Sequence, residues 1–300
     1  MLQGEVKTFE GSGYLEYLQI GNALDKPTLL FLHGFADSKD TFYDAAGHLA
    51  EDFNIIVPDL PGFGNSFQDP SRTYDLESYS QWIAEFCDGI CLDNIHLVGN
   101  SLGGAIAMAF ALRAPEKISN LCLIDPAGIF IKDKPSLYYE LFKGSSVFAV
   151  KTYEDHCKFM ERVFHKSPII PTPVREHLFR SFARHTEWYE KLILDLLGDI
   201  SHDEDPRIQE KALNHRLQEI SHKTLIMWGD KDSLFPFETG HYIANQIPGS
   251  KLHVFKNCGH SPQIESPKLF ADTYLRHFIP AKHSQRQTRR IWPFAKVAPV

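Results

Sequence analysis

The strongest constraint on what this chain can fold into is the run IHLVGNSLGGAIAMAFAL at residues 95–112. Ile95, Leu97 and Val98 read as a short buried strand, Gly99-Asn100-Ser101-Leu102-Gly103-Gly104 as a tight turn, and the remainder as a helix of small and apolar residues. Gly99, Ser101 and Gly103 fit G-x-S-x-G within the strand, turn and helix that this pattern requires. A serine on such a turn adopts a strained backbone, and the flanking glycines leave room for it. Its hydroxyl then stands at the carboxyl edge of a sheet, above the positive end of a helix. A phosphate-binding turn is the competing reading. It calls for G-x-G-x-x-G or a terminal G-K-[ST], and neither is present.

The surrounding chain supplies the sheet. TLLFL at 28–32, NIIVP at 54–58, NLCLI at 120–124, TLIMW at 224–228 and KLHVF at 251–255 are strand-length runs, mostly of the continuous apolar kind buried on both faces. Helical patterns alternate with them, one opening at a candidate cap, Asp75, and presenting Tyr79, Trp82, Ile83, Phe86 and Ile90. Another is expected to begin after His260 and to run unbroken to about Phe278. Residues 6–20 alternate around Gly11-Ser12-Gly13 and predict an edge hairpin. The fold class is therefore α/β, a mostly parallel sheet flanked by helices and joined by right-handed crossovers.

Residues 129–221 break the pattern. They contain no buried strand, and they are rich in aromatic residues and interrupted by prolines and glycines. A helical cap over the sheet edge is expected, with a plain packing unit as the competing reading. The organisation is a core of 1–128 and 222–280, the insertion at 129–221, and a tail at 281–300.

A net charge of −7 argues against a nucleic-acid partner, because phosphate neutralisation needs a basic face. The five cysteines are dispersed and odd in number, and reduced thiols are expected. Cys87 and Cys91 lie one helical turn apart, but no second ligand pair follows, so no metal and no cofactor are expected. No secretory leader or membrane-length apolar run is present, which makes a cytoplasmic protein the expectation.

A serine hydroxyl is a poor nucleophile at neutral pH and needs a base within hydrogen-bond reach and an acid behind that base. Strand ends after Ser101 present Asp125, the Asp230 and Asp232 pair, and His260, all at one sheet edge. The order serine, acid, histidine suits this architecture.

From about Val6 to Phe278 the chain resembles the α/β-hydrolases. The likeness rests on His33-Gly34-Phe35, residues 59–66, Gly99 through Gly104, Trp228-Gly229 with Asp232, and Gly259-His260. The resemblance implies Ser101 as nucleophile, His260 as general base and then acid, and Asp232 as the orienting carboxylate. It also implies an oxyanion hole from the backbone N–H groups of Phe35 and Leu102. The pattern W-G-x-x-D favours Asp232 over Asp230, which reads as a turn residue, while Asp125 stays open as the rival acid. His33 is expected to be structural.

A serine at 101 disfavours the branches that attack through a carboxylate. Carbon–carbon hydrolases of ring-cleavage products share the G-N-S-x-G-G turn, but their oxyanion loop usually continues Gly-Pro-Gly where this chain reads HGFADSKDTF. That loop, with residues 121–129 and 257–267, is similar to bacterial lipases, carboxylesterases and monoacylglycerol-lipase-like hydrolases. The resemblance implies an ester or lipid substrate with a fairly apolar acyl group, with a non-catalytic ligand receptor as the alternative of another class. The tail carries Lys282, Arg286, Arg289, Arg290 and Lys296 and no acidic residue. Weak peripheral contact with anionic membranes and a simply solvated tail are both readings of it.

Overall fold

The computed structural model describes residues 4–134 and 136–279. Eight strands form one sheet: β1 (Gly4–Glu10), β2 (Tyr14–Ile20), β3 (Thr28–Leu32), β4 (Asn54–Pro58), β5 (Ile95–Asn100), β6 (Ile118–Ile124), β7 (Lys223–Gly229) and β8 (Lys251–Phe255). Their spatial order is β1-β2-β4-β3-β5-β6-β7-β8. The edge hairpin pairs antiparallel, β2 pairs antiparallel to β4, and every other pairing is parallel. Strand order reverses at β3, which lies between β4 and β5. The loops after β3 and β5 therefore part there and leave a crevice at the carboxyl edge.

The apolar runs explain the two layers. Leu29 and Phe31 of β3 point to one face, Leu30 and Leu32 to the other, and all four are inaccessible to solvent. The first face packs on α1 (Tyr43–Leu49) and the last helix; the second packs on α2 (Leu76–Gly89) and α3 (Leu102–Arg113). Asp75 caps α2, its carboxylate accepting from the Ser78 N–H at 2.8 Å.

Between β6 and β7 the chain forms α4 (Leu137–Phe142), α5 (Tyr153–Val163), α6 (Thr172–Arg184), α7 (Thr186–Leu197) and α8 (Ile208–Lys211), with no strand among the described residues. The two ends of this excursion are stitched together. Leu213 donates to the Gly128 carbonyl at 2.8 Å, and the Asn214 side chain both accepts from the Phe130 N–H and donates to its carbonyl. Further bonds hold it over the sheet edge: Trp188 Nε1 donates to the Gly62 carbonyl at 2.7 Å, and the His260 N–H donates to that of Val163 at 2.8 Å.

The remaining helices are α9 (Glu238–Gln246), α10 (Pro262–Glu265) and α11 (Pro267–Phe278). The single terminal helix expected after His260 is thus two. Pro267 pushes Ser266 out of the helical region, to φ −146° and ψ 55°, and cannot donate a backbone hydrogen bond. All five cysteines are unpaired. No helix among the described residues is long and apolar enough to cross a membrane. The basic tail expected from residue 281 lies outside the described residues.

Candidate active site

Parallel register brings the carboxyl ends of four strands together. Asn100 of β5 pairs with Ile124 of β6, and Ile124 with Met227 of β7, so Ser101, Asp125 and the loop carrying Asp232 emerge side by side. Gly229 of β7 pairs with Phe255 of β8, which brings the loop carrying His260 to the same edge.

Ser101 has φ 53° and ψ −118°, a conformation costing about 1–3 kcal/mol for a residue with a side chain. The surroundings enforce it. The Ser101 N–H donates to the Ile124 carbonyl at 3.0 Å, and the Ser101 carbonyl accepts from the N–H groups of Gly104, Ala105 and Ala127. The backbones pack too closely for side chains on the flanking glycines. A Cβ on Gly99 would lie 2.2 Å from the Gly103 carbonyl oxygen, and one on Gly103 would lie 2.1 Å from that of Leu32. Gly103→Ala is therefore expected to lower stability by about 3 kcal/mol, because rigid backbone must move. Thermal unfolding measures this, and an unchanged melting temperature would contradict it.

Asp232 lies behind His260. Its Oδ2 is 2.7 Å from His260 Nδ1, and its Oδ1 accepts from the N–H groups of Leu234 at 2.7 Å and Phe235 at 3.1 Å. A carboxylate partner places the imidazole proton on Nδ1. The opposite nitrogen, Nε2, is buried and has no hydrogen-bond partner among the described residues. His260 and Ser101 line one chamber. The N–H groups of Phe35, in the loop after β3, and Leu102, in the first turn of α3, likewise have no acceptor among the described residues.

The rival acid, Asp125, is fully buried, and its Oδ2 has no hydrogen-bond partner among the described residues. Its Oδ1 accepts from the Gly229 N–H at 2.9 Å. One carboxylate oxygen each of Asp125 and Asp232 and one ring nitrogen of His260 lie within 4.8 Å of one another. Burial, reinforced by the charge of Asp232, raises the Asp125 carboxyl well above the usual range and favours its neutral form. Asp230 holds the neighbouring loop by accepting from the Asn257 N–H at 2.6 Å. His33 is structural. Its Nδ1 faces the Gly34 carbonyl at 2.8 Å, its Nε2 accepts from the Leu60 N–H at 2.9 Å, and burial lowers its pKa.

Several supporting groups were not legible in the sequence. The Asn100 amide donates to the carbonyls of Ile124 and His260 and accepts from Gln263, tying the serine turn to the histidine loop. Arg162 of α5 forms a two-pronged pair with Glu140 of α4 and donates to the Ser233 carbonyl at 2.8 Å, next to Asp232. Glu265 accepts from the N–H groups of Gly259, His165 and Lys166. Asn100 lay inside the recognised motif, and Gln263 and Glu265 inside the 257–267 stretch that carries the resemblance, though with no role assigned, whereas Arg162 carried no local signal.

Two chambers meet at Ser101. One is almost wholly apolar and is lined by Ala105, Phe130, Leu196, Ile200, Ile208 and Ala212 among others. The other holds His260 and is more polar, with Asp37, Gln68, His156 and His185 among its walls.

Comparison with known proteins agrees with this geometry. Residues 27–267 match the family described as alpha/beta hydrolase fold. Lipase 1 of Psychrobacter immobilis is 30% identical over 268 residues, covering 89% of this chain and 81% of that protein. The monoacylglycerol lipase ABHD6 of Homo sapiens is 24% identical over 275 residues, covering 89% and 79%. Among solved structures, a membrane phospholipase A described as a bacterial virulence factor superposes with a TM-score of 0.84 at 29% identity, covering 91% of this chain and 85% of that one. With a serine on a strained turn after β5, a strand order that reverses beside it and a family match spanning most of the sequence, the chain belongs to the α/β-hydrolase fold family.

Proposed function

We propose that this protein is a serine hydrolase that cleaves carboxylic esters of apolar acyl groups through an acyl-enzyme. The observation that carries the reading is the Asp232–His260 hydrogen bond, which leaves a buried, unpartnered Nε2 in the chamber that holds Ser101. His260 Nε2 takes the Ser101 proton as Oγ attacks the ester carbonyl, and Asp232 stabilises the imidazolium that forms. The N–H groups of Phe35 and Leu102 receive the developing oxyanion, and one such donor is worth about 3–4 kcal/mol. His260 then returns the proton to the departing alcohol. Water, activated by the same nitrogen, releases the acid from Ser101.

The apolar chamber supports an acyl chain as occupant, and the more polar chamber an alcohol. The names of the relatives, lipase and monoacylglycerol lipase, support a lipid ester as substrate. Turnover of p-nitrophenyl esters of rising acyl length tests the proposal. Activity that climbs with chain length fits it, whereas inertness toward all of them together with cleavage of a ring-cleavage dienoate would replace it with carbon–carbon hydrolysis.

The chamber also makes a positional prediction. Ala212 lines the apolar chamber and is nearly buried. Ala212→Trp should fill part of that chamber and displace about two methylenes, costing roughly 1.6 kcal/mol, or about fifteenfold in kcat/KM, for long acyl chains. Hydrolysis of acetate and butyrate esters should be unaffected. Equal losses for short and long esters would show that the acyl chain lies elsewhere.

A further inference from the structure

The outer helix of the cap carries a surface that the reaction does not use. Pro171 through Leu178 are exposed without interruption, so the first half of α6 projects from the body. Ile169, just before it, is 97% exposed; Val174 and Leu178, one turn apart on the helix, are 48% and 40% exposed. Tyr153 of α5, also exposed, sets its ring edge-on to Phe179 of α6 at 5.7 Å. Single exposed apolar residues are ordinary. Several on one projecting helix and its leading loop mark an interaction surface.

Charge identifies the partner. In a chain of net charge −7, residues 165–185 carry Lys166, Arg175, Arg180 and Arg184 against a single acidic residue, Glu176. Arg180 pairs with Glu176. Arg175 donates to the Ile170 carbonyl and Arg184 to the Arg180 carbonyl, so both guanidinium charges, and that of Lys166, lack a carboxylate partner among the described residues. Aliphatic tips flanked by cations on a convex projection suit a fluid anionic lipid surface, where side chains enter the acyl boundary and cations meet the headgroups.

We propose that Ile169, Val174 and the N-terminal half of α6 dock this protein onto anionic lipid surfaces. The same helix also lines the chamber that holds Ser101, through Leu178 at the border of the exposed surface and through Ser181 and Phe182. Docking therefore brings that wall of the site against the layer in which an apolar ester dissolves. The surface is independent of the charged tail and of turnover itself.

Sedimentation of the full chain with vesicles of phosphatidylcholine alone, and with about one third phosphatidylglycerol, tests the proposal. Wild type is expected to sediment only with the anionic vesicles. Ile169→Asp with Val174→Asp should weaken partitioning by at least about tenfold. Arg175→Glu with Arg184→Glu should weaken it by at least about twenty-fivefold, each cation being worth about fivefold. Hydrolysis of soluble p-nitrophenyl acetate should stay unchanged in both variants, which separates lost docking from lost folding or chemistry. A chain ending at residue 280 should bind as wild type does. Absence of wild-type binding, wild-type binding by both double variants, or loss on truncation alone would each overturn the proposal.

Discussion

Ser101→Ala is expected to reduce kcat about 10⁶-fold, because nucleophile, base and acid act as a unit and removal of the nucleophile leaves only binding and the oxyanion donors. Stability should barely change. The positive φ of Ser101 is held by the backbone bonds to Ile124, Gly104, Ala105 and Ala127, none of which involves the hydroxyl. Ser101→Gly should be equally inactive and more stable by about 1 kcal/mol, since glycine removes the strain at that position. Steady-state kinetics and thermal unfolding together give the readout. Labelling by a fluorophosphonate should be complete in wild type and absent from both variants. A wild-type Ser101 that resists the probe would identify a ligand receptor on this fold, and an alanine variant retaining even a hundredth of the activity would remove Ser101 from the chemistry.

The serine turn was legible in the sequence because its constraint is local. Backbone crowding at Gly99 and Gly103 excludes any side chain, and the motif records that exclusion residue by residue. The strands were legible for a similar reason, since burial on both faces demands an unbroken apolar run. β6 nevertheless begins two residues before the NLCLI run, where Ile118 pairs across a register shift with Ile95. The groups that hold the cap against the site belong to a different class. Arg162 reaches Glu140 and Ser233, and Glu265 reaches His165 and Lys166, across sequence separations that no periodicity encodes. Each is an ordinary charged residue until the cap is folded. The aromatic richness of the insertion marked it as an apolar unit, but only the folded chain divides the space below it into an apolar and a more polar chamber.

The choice between Asp125 and Asp232 was open in the sequence because both follow strand ends at one edge, and their substitutions should separate sharply. Asp232→Asn is expected to lower kcat by about 10⁴-fold. An asparagine can still accept from the Leu234 and Phe235 N–H groups through its carbonyl. That orientation turns its NH₂ group toward His260 Nδ1. Two donors cannot face each other, so the imidazole shifts its proton to Nε2 and can no longer take one from Ser101. Asp125→Asn should cost less than about tenfold. Its carbonyl can keep the bond from the Gly229 N–H, and its NH₂ group is a neutral donor like the protonated carboxyl that burial and Asp232 favour at this position. Asp125→Leu should instead cost about 1–3 kcal/mol of stability, because the buried Gly229 N–H would lose its acceptor. Kinetics of the three variants, with unfolding measured on each, distinguish acid from support. A severe defect in Asp125→Asn beside a mild one in Asp232→Asn would transfer the orienting role to Asp125 and place the working carboxylate at the end of β6.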